Sequence, residues 1–245
     1  MKKILTLIAV LMTLTVPAMA QRGGAAPNWI TIAAKVGAGN SILFCQQISD
    51  DENIKQNYLS PSFSIGGRLG VVFVDRIGVS VEYLSSNYQN KYEYTPELVQ
   101  NKISSNLKIK TSDLLILARY TGEYGFYAEI GPKITSVKDI QFAAGDMPNH
   151  DLTDCFKKSF NSIVFGFGFS PYNGERVIVS LGIRAAYCSS SIVKDIPNFQ
   201  GGLGNKPFIN LEMKPFSAQA TLDIGYHFAR FGSATCGKQK IIFFK

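Results

Sequence analysis

The first residues that suggest chemistry are charged side chains placed inside apolar segments. Glu82 and Arg184, for example, each stand between two hydrophobic neighbours. Charges removed from water need partners, so such residues predict ion pairs inside the protein. Eight of them are expected to face one common interior: Lys35, Arg68, Glu82, Arg119, Glu129, Lys133, Arg184 and Asp223. We expect the three arginines to bridge the three acids as a polar plug, with an ion or proton path as the functional alternative.

Four cysteines form the second candidate group: Cys45, Cys155, Cys188 and Cys236. Residues 1–20 resemble a signal peptide, as described below, and disulfides are permitted in an exported protein. Four cysteines allow three full pairings. We predict a Cys155–Cys188 bridge, because the expected strand order places both residues near one rim and Cys236 near the other. The two histidines, His150 and His227, are far apart in sequence, and no cysteines are closely spaced. No metal site and no cofactor are therefore predicted.

A hydrolytic site is the third candidate. His150 with Asp146 or Asp151 would supply a base and its acidic partner, and Ser190 would supply a nucleophile. The spacing contains no nucleophile signature, and serine and aspartate are common in polar loops. The glycines of 201–204 lack the strand and helix that a phosphate-binding loop requires. We therefore predict that the protein is not an enzyme and has no catalytic or cofactor-binding residues.

The elements that would position these residues are strands, and the segment 160–187 shows this best. Hydrophobic residues occupy every second position over 163–169 and again over 177–185. A period of two is typical of a strand with one apolar face. The intervening residues 171–175 include Asn-Gly, so the two strands are expected to form a hairpin.

Six further segments repeat this pattern. The eight predicted strands span 29–45, 60–74, 77–91, 105–120, 125–141, 160–170, 176–190 and 215–230. Their connections alternate between short turns (75–76, 121–124, 171–175) and long polar loops (46–59, 92–104, 142–159, 191–214). Sorting of short and long connections to opposite rims is how outer-membrane barrels are built.

The face opposite the hydrophobic side chains is rich in glycine, serine and charge, so the apolar face is expected to point outward. We predict an all-β fold, an eight-stranded antiparallel up-and-down transmembrane β-barrel whose hydrophobic side chains contact lipid. Strand four departs from the pattern, because 114–117 is apolar on both faces, and a bulge near Thr111 would explain it. Outward aromatic residues are expected near the rims. They are Phe73, Tyr120, Phe126, Phe169 and Phe228 toward the short turns, and Tyr83 and Tyr187 toward the long loops.

Residues 1–20 have the build of a cleaved signal peptide, with Lys2 and Lys3, an apolar run and Ala-Met-Ala at 18–20. We divide the remainder into a flexible lead-in (21–28), the barrel (29–231) and a C-terminal tail (232–245). Removing the two lysines lowers the formal charge from +7 to +5, and no basic stripe indicates a nucleic-acid partner. Beyond the signal there is no apolar run of the length that a membrane helix needs.

Three motifs resemble a known family. They are TSDLLILARY (111–120), GFYAEIGPKI (125–134) and GYHFARF (225–231). The first two resemble the central hairpin, and the third the last strand, of the small PorT-like outer-membrane β-barrels of Bacteroidetes, a porin-family group. The resemblance implies a Gram-negative outer-membrane protein that is folded by the barrel-assembly machinery. It implies no catalytic residues, and some members of the family are tied to protein secretion.

These observations favour a non-enzymatic structural or binding component of the cell envelope. Its partners would be outer-membrane lipid and another envelope protein, which the long loops or the tail would contact. The alternatives are a narrow passive pore for small solutes and an outer-membrane enzyme built on the loops. A soluble secreted ligand-binding barrel is the structural rival. The tail is expected to lie in the periplasm as a contact segment, although Phe243-Phe244 could instead serve as an assembly signal.

Overall fold

Strands dominate the chain. The computed structural model describes residues 29–50, 53–57, 59–73, 76–95, 102–122, 124–144, 150–194, 202–203, 206–207, 212–233 and 239–243. In chain order the elements are β1 (Trp29–Phe44), α1 (Gln46–Ser49), β2 (Ile54–Asn57), β3 (Pro61–Phe73), β4 (Ile77–Tyr94), β5 (Ile103–Thr121), β6 (Phe126–Ala144), β7 (His150–Asp151), a 3-10 turn (Thr153–Cys155), β8 (Ser159–Asn173), β9 (Val177–Tyr187), β10 (Gly202–Leu203), β11 (Lys206–Pro207), β12 (Lys214–Ser233) and β13 (Gln239–Phe243). The predicted signal peptide and lead-in lie outside the described residues.

Eight long strands close into a ring. The hydrogen-bonded order is β1-β3-β4-β5-β6-β8-β9-β12, and β12 pairs back with β1. Every pairing in the ring is antiparallel, and the closing seam is continuous from Ile30 opposite Ala229 to Phe44 opposite Lys214, with one irregularity near Ile30. The predicted fold class, an eight-stranded antiparallel up-and-down β-barrel, is confirmed. In the described part of the chain, no helix is long and apolar enough to cross a membrane.

Short turns lie at one rim and long connections at the other. The short connections follow β3, β5 and β8, and Gly125 adopts a φ of +78° in the second of them, a conformation that glycine tolerates. The third turn lies slightly later than predicted. Strand β8 continues to Asn173 through a register irregularity between Phe169 and Tyr172, so the connection is Gly174–Arg176.

The barrel is apolar outside and polar inside. Ile163, Phe165 and Leu181 are 59%, 61% and 39% exposed, whereas Lys35 and Glu82 are almost fully buried. Side chains alternate between the two faces of a strand, so the repeating sequence pattern produces this inversion along the whole ring. The predicted outward orientation of the hydrophobic residues is therefore observed, and no dry hydrophobic centre forms around 163–181.

Strand β5 corrects one prediction. A register shift does occur between Lys110 and Thr111, but the unpaired residue is Lys138 on β6. The alternation of buried and exposed residues on β5 itself is unbroken. Leu115 and Leu117 therefore face the interior, where they form a small apolar cluster with Leu84, Val164 and Ala186. The bulge on β5 was the wrong explanation for the run at 114–117.

The outward aromatic residues follow the prediction in part. Tyr120, Phe126 and Phe169 are exposed near the short turns, and the rings of Phe126 and Phe169 lie 6.4 Å apart. Tyr83 is exposed too, but it pairs with Leu114 in the interior of β4, away from either rim.

A cluster of buried apolar residues, which we name the cap cluster, closes the long-loop end. Its members are Leu43, Cys45, Ile48, Ile54, Tyr92, Leu107, Ile109, Ile140, Phe142, Leu152, Phe156, Ile192, Val193 and Met213. Strand ends supply some of these residues. Others come from α1, β2 and the segments around the 3-10 turn and 192–193, where Phe156 forms a bridge with Val193. Loops that looked merely polar in sequence thus contribute a conventional hydrophobic core.

The described part of the C-terminal tail is a strand. Strand β13 pairs antiparallel with the end of β12, from Ala229 opposite Phe243 to Ser233 opposite Gln239. It lies on the same side of β12 as β9, beyond the residue where the pairing with β9 stops. The tail therefore extends the sheet outward from the short-turn rim and takes no part in closing the ring.

Candidate functional site

The interior of the barrel is an ion-pair network centred on Arg184. Its Nη1 donates to Oε2 of Glu82 at 2.7 Å, and its Nε donates to Oε1 of Glu129 at 2.9 Å. Lys35 Nζ lies 2.9 Å from Glu82 Oε1 and 3.3 Å from Asp223 Oδ1. All five side chains are buried, so each charge is held by its partners in place of water.

Two further arginines approach the same network. Arg68 Nε and Arg119 Nη1 lie 3.9 and 4.0 Å from Asp223 Oδ2. Arg119 also lies over the ring of Tyr127, with its Cζ 3.6 Å from the ring centroid, a cation–π arrangement. We name the seven residues Lys35, Arg68, Glu82, Arg119, Glu129, Arg184 and Asp223 the central cluster.

Small residues on the inner face make room for these long side chains. A Cβ atom at Gly166, on β8, would lie 2.6 Å from Glu129 Oε1, which is closer than Cβ contacts come. Glycine at this position therefore lets Glu129 reach Arg184.

The eighth predicted residue, Lys133, belongs to a separate group nearer the long-loop end. Its Nζ donates to Tyr88 Oη at 2.7 Å and lies 3.2 Å from Asp113 Oδ2. Asp113 also accepts hydrogen bonds from Ser86 and Tyr88. Asp113 is absent from the predicted set, since a change of face on β5 would have turned it outward. Since Asp113 and Arg119 share parity on that strand, continuous alternation would have found it.

Some partners are neighbours along the sheet and others lie across the lumen. Lys35 and Asp223 are register partners on β1 and β12 and form an ion pair. Arg68 is the register partner of Glu82, and Arg119 is the register partner of Glu129. Yet Glu82 and Glu129 are both bound by Arg184, which lies on a different strand, and Arg68 and Arg119 turn toward Asp223.

The predicted Cys155–Cys188 disulfide does not form, and both residues are free thiols. Cys188 Sγ lies 3.3 Å from the carbonyl oxygen of Ser190, which accepts its hydrogen bond, whereas the backbone oxygen of Cys155 accepts a hydrogen bond from Lys194. The chain therefore aligns Cys155 with residues beyond Cys188. Burial, together with the neighbouring Asp154 carboxylate, raises the pKa of the Cys155 thiol. Cys236 lies outside the described residues.

The histidines occupy different parts of the molecule. His227 is buried near the short-turn rim, with Nδ1 2.7 Å from Thr31 Oγ1 and its ring 5.0 Å from that of Trp29. The side chain of His150 and all of Asp146 lie outside the described residues. Hydrogen bonds from Thr153 hold the pKa of Asp151 below its usual range. Among the described residues, no group of three or more His, Cys, Asp or Glu could hold a metal ion.

The fold and this interior define the class of protein: a closed β-barrel with an apolar exterior and an ion-paired lumen. No protein-family profile matches the sequence, and no curated protein is significantly similar to it.

Among solved structures the chain is similar to small outer-membrane proteins. OprG from Pseudomonas aeruginosa is 15% identical with a TM-score of 0.44, over 84% of this chain and 97% of OprG. Neisserial surface protein A is 10% identical with a TM-score of 0.40, over 80% and 96% of the two chains. Ail of Yersinia pestis is 12% identical with a TM-score of 0.40, over 82% and 99%. The function of this chain is argued below from its own geometry.

Proposed function

We propose that this protein is an integral outer-membrane β-barrel with a plugged lumen, acting as a non-enzymatic structural or binding component of the cell envelope. The observation that carries the proposal is the inversion of polarity between the two faces of the ring. Hydrophobic side chains such as Phe63, Ile65 and Phe167 are 58%, 64% and 64% exposed, while charged side chains fill the interior. An exposed apolar surface that runs around a whole molecule requires lipid or an equivalent partner.

Two barriers in series support a plug over a pore. The central cluster fills the middle of the barrel, and an eight-stranded barrel has an interior just wide enough for side chains. The cap cluster then closes the long-loop end with apolar residues packed against one another. A solute would have to separate both groups in order to pass.

A link to protein secretion and a contact with another envelope protein are part of the same proposal. The resemblance to PorT-like barrels supports the first. The second is supported by β13, which extends the sheet at the short-turn rim and so offers a strand edge beyond the ring.

Membrane fractionation tests the location. The protein is expected in the outer-membrane fraction and to resist extraction with alkaline carbonate, because its apolar exterior contacts acyl chains. Release into the soluble fraction by carbonate would contradict the membrane assignment and favour a secreted ligand-binding barrel.

Conductance tests the plug. We expect no large and steady conductance when the purified barrel is inserted into a planar bilayer. A stable open channel in most insertions would favour the narrow passive pore.

A further inference from the structure

A cavity of about 360 Å³ lies at the short-turn end of the lumen. Arg68, Arg119 and His227 line its inner part, and the end of β8 and the turn after it, at 173–175, line its mouth. Its size lies in the range of pockets that hold small molecules. Arg68 and Arg119 belong to the central cluster as well, but the plug proposed above gives the cavity itself no role.

Two arginines border the cavity, and each has a buried nitrogen without a hydrogen-bond partner in the described part of the chain. Arg68 and Arg119 are 6% and 9% exposed. Among the described residues, neither Nε of Arg68 nor Nη1 of Arg119 has a hydrogen-bond partner. The carboxylate that they share, Asp223, lies 3.9 and 4.0 Å from these atoms, beyond hydrogen-bond distance. Both oxygens of Asp223 also lack a hydrogen-bond partner within the described ranges, so charge alone holds the two arginines to it. A ligand that accepts from the arginines would add hydrogen bonds that the protein does not supply.

The charges around the cavity favour an anion. The central cluster contains four cationic side chains and three carboxylates. Glu82 and Glu129 are bound by Arg184, and Asp223 is shared by Lys35, Arg68 and Arg119, so the cluster has one more cation than carboxylates. Among the described residues that line the cavity, the acidic one is Glu175. It lies at the mouth and is exposed to solvent.

We propose that this cavity binds a small oxyanion of the phosphate class, which enters from the short-turn rim and accepts hydrogen bonds from Arg68 and Arg119. Arginine matches such ligands well because its planar fork of N–H donors fits two oxygens at once. The stacking of Arg119 on Tyr127 fixes the direction of its donors in advance. The inference goes beyond the envelope role proposed above and holds whether or not the barrel contacts a partner.

The binding is measurable because Trp29, the single tryptophan of the sequence, lines the same cavity. The purified barrel in a non-ionic, phosphate-free detergent is titrated with inorganic phosphate, with sodium chloride at matched ionic strength as the reference. We expect a saturable change in Trp29 fluorescence with phosphate and none with chloride, and a matching calorimetric isotherm. No saturable response to phosphate, or an equal response to chloride, would overturn the proposal.

Matched variants distinguish specific binding in this cavity from a nonspecific effect of the protein's positive charge. Arg68→Gln and Arg119→Gln are each expected to weaken phosphate binding by about tenfold or more, since each removes a charged donor. Arg76→Gln removes the same charge at the same rim but outside the cavity, and is expected to leave the affinity unchanged. An equal loss in all three variants would reduce the effect to bulk electrostatics and refute a specific site. If a glutamine variant does not fold, Arg119→Lys, which keeps the charge but not the fork, is used and should also weaken binding.

The phosphate group could belong to a free anion or to a lipid headgroup. Glycerol 3-phosphate is therefore added as a second probe. Tighter binding of inorganic phosphate identifies a free anion. Tighter binding of the glycerol ester identifies a lipid-type headgroup as the natural source.

Discussion

Glu82 is the acid on which the lumen network depends most. It accepts hydrogen bonds from Lys35 on one side and from both terminal nitrogens of Arg184 on the other. It is fully buried, so no water can replace these contacts. Removing its charge would leave two cations in the interior with fewer acceptors, and breaking a buried pair costs more than the pair contributes.

We therefore expect Glu82→Gln to lower the free energy of unfolding by about 3–5 kcal/mol. The measurement is reversible urea unfolding in phospholipid vesicles. The matched control is Glu175→Gln at the exposed turn, where a change within about 0.5 kcal/mol is expected. A loss below about 1 kcal/mol for Glu82→Gln would show that the remaining carboxylates are sufficient for Lys35 and Arg184.

The cysteines allow a second prediction at this scale. Because Cys155 and Cys188 are free thiols, alkylation of the unfolded, unreduced protein should modify both of them. Peptide mass spectrometry checks this directly. A disulfide-linked peptide that contains both residues would restore the pairing that the sequence suggested.

At the scale of elements, strand β8 presents the alternation most simply. Phe165 points outward at 61% exposure, and Val164 beside it is buried inside. Tyr172 also points outward, but lies next to the turn that begins at Gly174. If the outer face contacts lipid, the cost of a charge on that face must depend on its depth.

We expect Phe165→Arg to destabilise the barrel by about 2–4 kcal/mol and Tyr172→Arg by about 0–1 kcal/mol, because a charge near the headgroups stays hydrated. Urea unfolding in vesicles measures both variants. Equal and small effects would mean that Phe165 does not lie in hydrocarbon.

Strand β13 is an appendage to the ring, since β1 and β12 close the barrel without it. Truncation after Ser233 should leave a folded barrel in the outer membrane, with the usual difference in electrophoretic mobility between unheated and boiled samples. If the truncated chain refolds in detergent but no longer reaches the outer membrane in cells, the tail is an assembly signal instead.

At the scale of the whole molecule, the two rims differ in build, and in the proposed membrane location they would face different compartments. Short turns lie at one end, whereas the long connections at the other fold over the cap cluster. In outer-membrane barrels the long loops are extracellular and the short turns are periplasmic.

We expect a membrane-impermeant maleimide to label Lys158→Cys but not Tyr124→Cys on intact cells. Both positions are exposed, the first near the long-loop rim and the second in a short turn. The unmodified chain gives the background from its own thiols, and labelling of lysed cells should reach both variants. Preferential labelling of Tyr124→Cys on intact cells would reverse the orientation.

The alternation of residue types was enough to predict the ring and the direction of its side chains. Successive side chains on a strand point to opposite faces, so one sequence period decides inside from outside, as for Arg184 and Phe165. Buried and exposed residues alternate without a break along β5, so the same rule would have placed Asp113 in the interior.

Partner choice and the closed end of the barrel were decided only by the tertiary structure. Arg184 binds Glu82 from 102 residues away because closure of the ring brings β9 and β4 to opposite walls of one narrow lumen. Phe156 and Val193 become core residues because two long loops meet over that lumen. Such contacts have no sequence period, since they depend on distances across the barrel and not on positions along a strand.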